Sequence, residues 1–157
     1  MNYEDTMVIV ADLGELKAFH VKKNEGMVEN ELKISYSLEM LNDISYIDAH
    51  KRVQDVVSDS AGRLGTSGTP NAGKWGSSTG EPHNLENERK RRSIKDVAND
   101  INMIVKNEKP KQLLLAFPQE TNAQLIDALT QETKAVLVKN VASDLINTRT
   151  SEILSHF

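Results

Sequence analysis

Two kinds of hydrophobic pattern follow one another along this chain. Met7-Val8-Ile9-Val10-Ala11 is a continuous apolar run closed by Asp12-Leu13-Gly14-Glu15, the pattern of a strand covered on both faces and ended by a turn. Such a strand belongs in the middle of a sheet. Leu16 to Lys22 then sets Phe19 and Val21 on one face against Ala18 and His20 on the other. Leu32, Ile34, Tyr36 and Leu38 alternate with Lys33, Ser35, Ser37 and Glu39. Period-two alternation marks strands with one wet face, nearer a sheet edge. Short turns at Leu13-Gly14-Glu15 and around Asn24-Glu25-Gly26 join the three strands into an antiparallel meander. Asn42 to Val57 fits neither period and stays unassigned.

Further on, the period becomes helical. Ile94, Val97, Ala98, Ile101, Ile104 and Val105 recur on one helix face, with Asn84 or a neighbour as cap and Pro110 as stop. The first two turns, Leu85 to Arg92, hold almost no core residue, so this helix should project past the sheet. Gln112 to Phe117 is a second two-sided strand, stopped by Pro118. Ala123, Leu125, Ile126 and Leu129 make a short amphipathic helix that crosses over, right-handed, to a last strand at Ala135-Val136-Leu137-Val138. Thr150 can cap a final helix through Leu154. The order β-β-β-α-β-α-β-α predicts one α/β domain over residues 1–157, a mixed five-stranded sheet with helices on both faces, in the ribonuclease H-like arrangement.

Composition adds a loop and a charge asymmetry. Ser58 to Asn84 holds six of the eight glycines and two of the four prolines, with Leu64 as its one large aliphatic residue; a long mobile loop is predicted over 58–84. The chain carries a net charge of −4. Gly62 to Lys95 is nevertheless cationic, with Arg63, Lys74, Arg89, Lys90, Arg91, Arg92 and Lys95 outnumbering Glu81, Glu86 and Glu88. A hydrophobic share of 38% excludes the disordered class. No apolar run approaches the ~18 residues of a membrane span. Met1-Asn2-Tyr3-Glu4-Asp5 is acidic where a secretory leader is basic, so a cytoplasmic location is expected. The absence of cysteine excludes disulfides, thiolate zinc sites and cysteine nucleophiles. The oligomeric state is left open.

The candidate chemistry is sparse. Gly68-Thr69-Pro70-Asn71-Ala72-Gly73-Lys74 satisfies all but the last position of a phosphate-binding P-loop, where Trp75 stands and cannot bind magnesium; the surroundings also lack the flanking strand and helix. Asp12-Leu13-Gly14 has the Asp-x-Gly form of magnesium-dependent nucleases and phosphotransferases. Glu120 and Asp144 are the only obvious acids to join Asp12 in such a site. The competing reading of Asp12 is a turn residue that accepts backbone amides. His20, His50, His83 and His156 show no metal-ligand spacing, and no serine sits in a Gly-x-Ser-x-Gly elbow. No metal or other cofactor is predicted. A basic loop and helix start remain, in which Arg63, Lys74 and Arg89 to Arg92 could follow a phosphate backbone while Trp75 stacks on a base. Its alternative is the solvated end of a helix, with Glu86 and Glu88 weakening the field.

Several of these segments together resemble a known family. Val8-Ile9-Val10-Ala11-Asp12 followed by Ala18-Phe19, Asp59-Ser60-Ala61-Gly62-Arg63, Glu81-Pro82-His83 with Glu86 and Glu88, Gln112 to Pro118, and Asp144-Leu145 with Thr150 to Ile153 look like the bacterial host attachment proteins over most of the chain. That family is similar to the middle domain of class-1 translation release factors, which implies a ribonuclease H-like fold and contact with RNA or the ribosome. In those factors a Gly-Gly-Gln in the loop before the long helix serves peptidyl-tRNA hydrolysis. The loop here has neither Gly-Gly nor Gln, so the resemblance implies the fold and the loop position without that catalysis. A non-enzymatic binding protein is expected; the alternatives are a magnesium-dependent phosphodiesterase or phosphotransferase and a protein-binding module.

Overall fold

The computed structural model of the chain describes residues 2–46 and 81–157. Strands β1 (Thr6–Ala11), β2 (Glu15–Val28) and β3 (Glu31–Ser45) form an antiparallel meander. On the other side of β1, β4 (Gln112–Phe117) pairs parallel with it, and β5 (Leu137–Ala142) pairs parallel with β4. The five strands lie in the order β3-β2-β1-β4-β5, so β1 is the middle strand, as its two-sided apolarity requires. Every residue of β1 is buried.

Alternation divides β1 between two cores. Met7, Ile9 and Ala11 join Leu113, Leu115 and Phe117 of β4 on one face, where helix α1 (Glu81–Glu108) lays Ile94, Val97, Ala98, Ile101, Ile104 and Val105 over them. Leu125 of α2 (Gln119–Ala128) and Val136 of α3 (Gln131–Val136) complete that layer. On the opposite face Val8, Val10, Phe19, Leu114 and Ala116 are covered by the last fifteen residues, through Leu145, Ile146, Ile153, Leu154 and Phe157. These lie in an irregular stretch, the single-turn helix α4 (Thr150–Ile153) and the 3-10 turn Leu154–His156.

Five boundaries differ from the pattern reading. The β2–β3 turn is Glu29-Asn30, both with positive φ (50° and 64°). It is a two-residue hairpin turn of the twist-matching kind, and Asn24 to Gly26 continue β2 as a paired arm. Asn42 to Ser45 extend β3, while 47–57 lie outside the described residues. Helix α1 begins at Glu81, before Asn84, with Pro82, which has no N–H, in the first turn, where an N–H would have no intrahelical partner; it ends where Lys109 takes φ 49° and its N–H donates to the Val105 carbonyl at 2.9 Å. Between β4 and β5 there are two helices. The Thr130 hydroxyl accepts from the Thr133 N–H at 3.3 Å, starting α3, so Ala135 and Val136 end a helix and the strand begins at Leu137. Thr150 is the first residue of α4 and its side chain makes no capping bond. The predicted loop over 58–84 falls almost wholly outside the described residues.

Tyr46 fastens the end of β3 to α1. Its N–H donates to the Gly14 carbonyl at 2.8 Å and its hydroxyl donates to Asp100 Oδ2 at 2.5 Å. Burial, then the hydrogen bond to Asp100, then the negative charges of Asp100 and Asp96 push the phenol well above its ordinary range. The folded protein therefore keeps this proton where the unfolded chain, with a phenol near pH ~10, gives it up. The resulting stability is complete below that pH and is lost as pH rises beyond it. Urea unfolding at rising alkaline pH should show the fall in wild type and a smaller one in Tyr46→Phe, which at neutral pH is weaker by about 1–2 kcal/mol. An identical alkaline fall in both proteins would contradict this.

Candidate functional site

Helix α1 spans 28 residues, about 42 Å at 1.5 Å per residue, and uses only its later part as core. From 84 to 92 no residue is buried; burial begins at Ser93 and Ile94. The sequence supplies no apolar side chain there except Leu85, which is exposed. The cations of this segment consequently stand in water beyond the α1–sheet contact, as the pattern predicts.

Packing of α2 against α1 sorts these cations. Arg91, Arg92 and Lys95 line a groove of about 420 Å³ between the two helices, together with Glu88, Gln124 and Ala128. Arg91 and Lys95 are four residues apart, hence on one side of the helix. Arg89 is half-buried and Lys90 exposed, and neither lines the groove. Among the described residues no carboxylate forms an ion pair with Arg89, Lys90, Arg91 or Arg92. The described part of the groove is thus net cationic, its guanidinium groups without an ion-paired carboxylate among the described residues, and suited to an anionic ligand. Arg63, Lys74 and Trp75, the other residues assigned to this surface, lie outside the described residues.

In the sequence Lys95 belongs only to the basic window, and nothing there points to Gln124. The i, i+4 relation of Arg91 and Lys95 was available from the sequence. The approach of Gln124 was not, because it depends on how α2 returns across α1.

The three acids are deployed differently. Asp12, Glu120 and Asp144 follow the carboxyl ends of β1, β4 and β5, which run parallel, so topology puts them along one sheet end. Asp12 Oδ1 accepts the N–H groups of Gly14 and Glu15, each at 2.7 Å. Asp144 Oδ1 accepts the Ile146 N–H at 3.0 Å. Glu120 is exposed in the first turn of α2. Among the described residues no three histidines or acids come together in a way that could hold a metal ion. Asp12 has the geometry of a turn residue, and the shared carboxylate site that magnesium chemistry needs is not assembled from these three.

Among the described residues no helix is long and apolar enough to cross a membrane. No curated protein matches the chain. A family model described as "Protein required for attachment to host cells" matches residues 7–157, from the central strand through the groove to the last residue. The chain belongs to this family of proteins required for attachment to host cells.

Proposed function

We propose that the protein is a non-enzymatic binding protein that takes RNA, free or in the ribosome, along the cationic start of α1, with Arg91 and Arg92 on phosphates and Arg63, Lys74, Trp75, Arg89 and Lys90 extending the contact. The observation that carries this reading is the pair Arg91 and Arg92 lining the α1–α2 groove, with no ion-paired carboxylate among the described residues. The strand order β3-β2-β1-β4-β5, three strands antiparallel and two parallel, supports a ribonuclease H-like fold, and with it a kinship to the release-factor middle domain. Without Gly-Gly-Gln, that kinship extends to binding and not to peptidyl-tRNA hydrolysis. The reading places the protein in the cytoplasm, where such a partner is found.

A second reading rests on the family description: the partner is a component of a host cell, and the groove takes an acidic group on it. Titration with tRNA, ribosomes and single-stranded RNA separates the two. For RNA, log affinity falls with log salt by about 0.7 per phosphate contact, and neutralising Arg91 and Arg92 together flattens the slope by about 1.4. Trp75→Ala weakens binding and leaves the slope unchanged, because stacking releases no counterions. No salt-dependent binding at low ionic strength would sink the RNA reading and leave the host-cell one.

A further inference from the structure

β3 is one edge of the sheet, with β2 on its inner side and, among the described residues, no strand on its outer side. Folded proteins usually blunt such edges by keeping them short, charged or interrupted by proline. The opposite edge, β5, follows that rule, with six residues and Lys139-Asn140 at its centre. β3 carries charges at Glu31, Lys33, Glu39 and Asp43 but is long, running for 15 residues without proline or glycine. Its cross-strand register sets Met27 beside Leu32, Val21 beside Leu38 and Phe19 beside Met40, with Ile34 and Tyr36 between them on the same face. On that face Met27 is 70% exposed, Leu32 62%, Met40 50% and Ile34 46%. The pattern reading expects this apolar face to be covered. It is covered at Phe19, Val21 and Leu38 and touched by Tyr3 at Tyr36, and it is open towards the hairpin turn because the β2–β3 arm reaches past the rest of the sheet.

The sequence along the edge is nearly palindromic in chemical type. Leu32-Lys33-Ile34-Ser35-Tyr36-Ser37-Leu38-Glu39-Met40 reads the same in both directions, except that the two charged positions have opposite sign. An antiparallel ladder centred on Tyr36 would place Leu32 opposite Met40, Ile34 opposite Leu38, Ser35 opposite Ser37, and Lys33 opposite Glu39 twice over. Both charged residues are exposed and have no ion-pair partner among the described residues. The regular ladder ends where the palindrome ends: Phe19 pairs with Met40 and Ala18 with Asn42, leaving Leu41 as a bulge. Bulges commonly terminate pairing at sheet edges.

We infer that this strand is a self-recognition surface: two copies of the chain pair β3 to β3, antiparallel about a two-fold axis at Tyr36, joining two five-stranded sheets into one. The partner is a second copy because the charge complementarity and the apolar pairing are already present in one strand, as an isologous interface requires. Strand addition satisfies the outer N–H and C=O groups of β3, and the exposed apolar strips of the two arms become continuous.

Sedimentation of the full chain over a range of concentrations should show a monomer–dimer equilibrium. Lys33→Glu, or Glu39→Lys, replaces two attractive cross-strand pairs by two repulsive ones and should raise the dimer Kd about tenfold or more. The double exchange Lys33→Glu with Glu39→Lys recreates the pairs and should restore wild-type association. The chain has no cysteine, so a single introduced thiol reports the axis directly. Opposed residues in an antiparallel ladder lie about 4.5–5.5 Å apart at Cα, within disulfide reach. Tyr36→Cys should therefore give a disulfide-linked dimer on mild oxidation, and Met103→Cys, exposed on α1, should not. A wild type that stays monomeric at every concentration overturns the inference. So does a double exchange that associates no better than the single ones. Outer-edge β3 amides protected from exchange in a monomer would mean that a segment of the same chain covers the edge, and would overturn it equally.

Discussion

Phe117→Ala should destabilise the protein by about 3–5 kcal/mol, the range for deleting a buried aromatic ring. Phe117 is fully buried at the carboxyl end of β4, packed in the cluster that joins β1, α1 and α2. Removing its ring takes contacts from three elements together. Its backbone is held by pairing with Ala142 of β5 and by the Asn122 side-chain amide on its carbonyl at 3.4 Å, so the strand cannot slide inward to fill the void. Set against a typical total of about 5–15 kcal/mol, this is a large fraction. In urea the midpoint should drop sharply with the slope unchanged. Phe117→Leu, which keeps most of the volume, should cost much less. A loss below about 1 kcal/mol for the alanine variant would mean that the site collapses freely, and that this core is not close-packed.

The second large effect concerns Asp12. One carboxylate oxygen receives two backbone N–H groups at 2.7 Å, and hydrogen bonds to a charged acceptor are worth about 1.5–3 kcal/mol each. They are not additive when they share one oxygen, so Asp12→Ala should cost about 2–4 kcal/mol. Asp12→Asn retains an oxygen in the same place and should cost about half as much. This graded response distinguishes a turn residue from a metal ligand. If Asp12 organised magnesium, asparagine and alanine would both abolish any magnesium-dependent activity, and both would remove stabilisation by added magnesium. Equal stability losses for the two variants, together with stabilisation of the wild type by magnesium, would return Asp12 to the metal-binding reading.

The residues that announced their place did so through burial. β1 was legible as the centre because the five successive side chains Met7 to Ala11 are all apolar and buried, which leaves no polar position to blur the run. The core face of α1 was legible because Ile94, Val97, Ala98 and Ile101 keep helical spacing over the sheet. The β2 half of the hairpin arm was not legible, because strand pairing sustains it without a core. Asn24 to Gly26 look like a turn when burial is the criterion, and Glu29-Asn30 lacks the glycine that would flag the real one. The shift of β5 to Leu137 has another cause. Thr130 caps α3, and a capped helix took Ala135 and Val136, which read equally well as strand. At the candidate site, the basic cluster was visible as composition. Its division into Arg91, Arg92 and Lys95 inside the groove, with Arg89 and Lys90 outside it, depends on α2, whose position no local pattern fixes.

The parallel pairing of β1 with β4 also sets a timetable for the newborn chain. Thr6 and Gln112, which meet side by side, are separated by 106 positions. At synthesis rates of about 5–20 residues per second, some 5–20 s pass between the appearance of the first strand and that of its neighbour. During that interval the meander β1-β2-β3 can form, but the outer flank of β1 is an unsatisfied strand rich in valine and isoleucine, a template for adhesion to other nascent chains. Yield in the cell should then depend on what shields Met7 to Ala11 during translation, such as a chaperone, as much as on the stability of the finished fold.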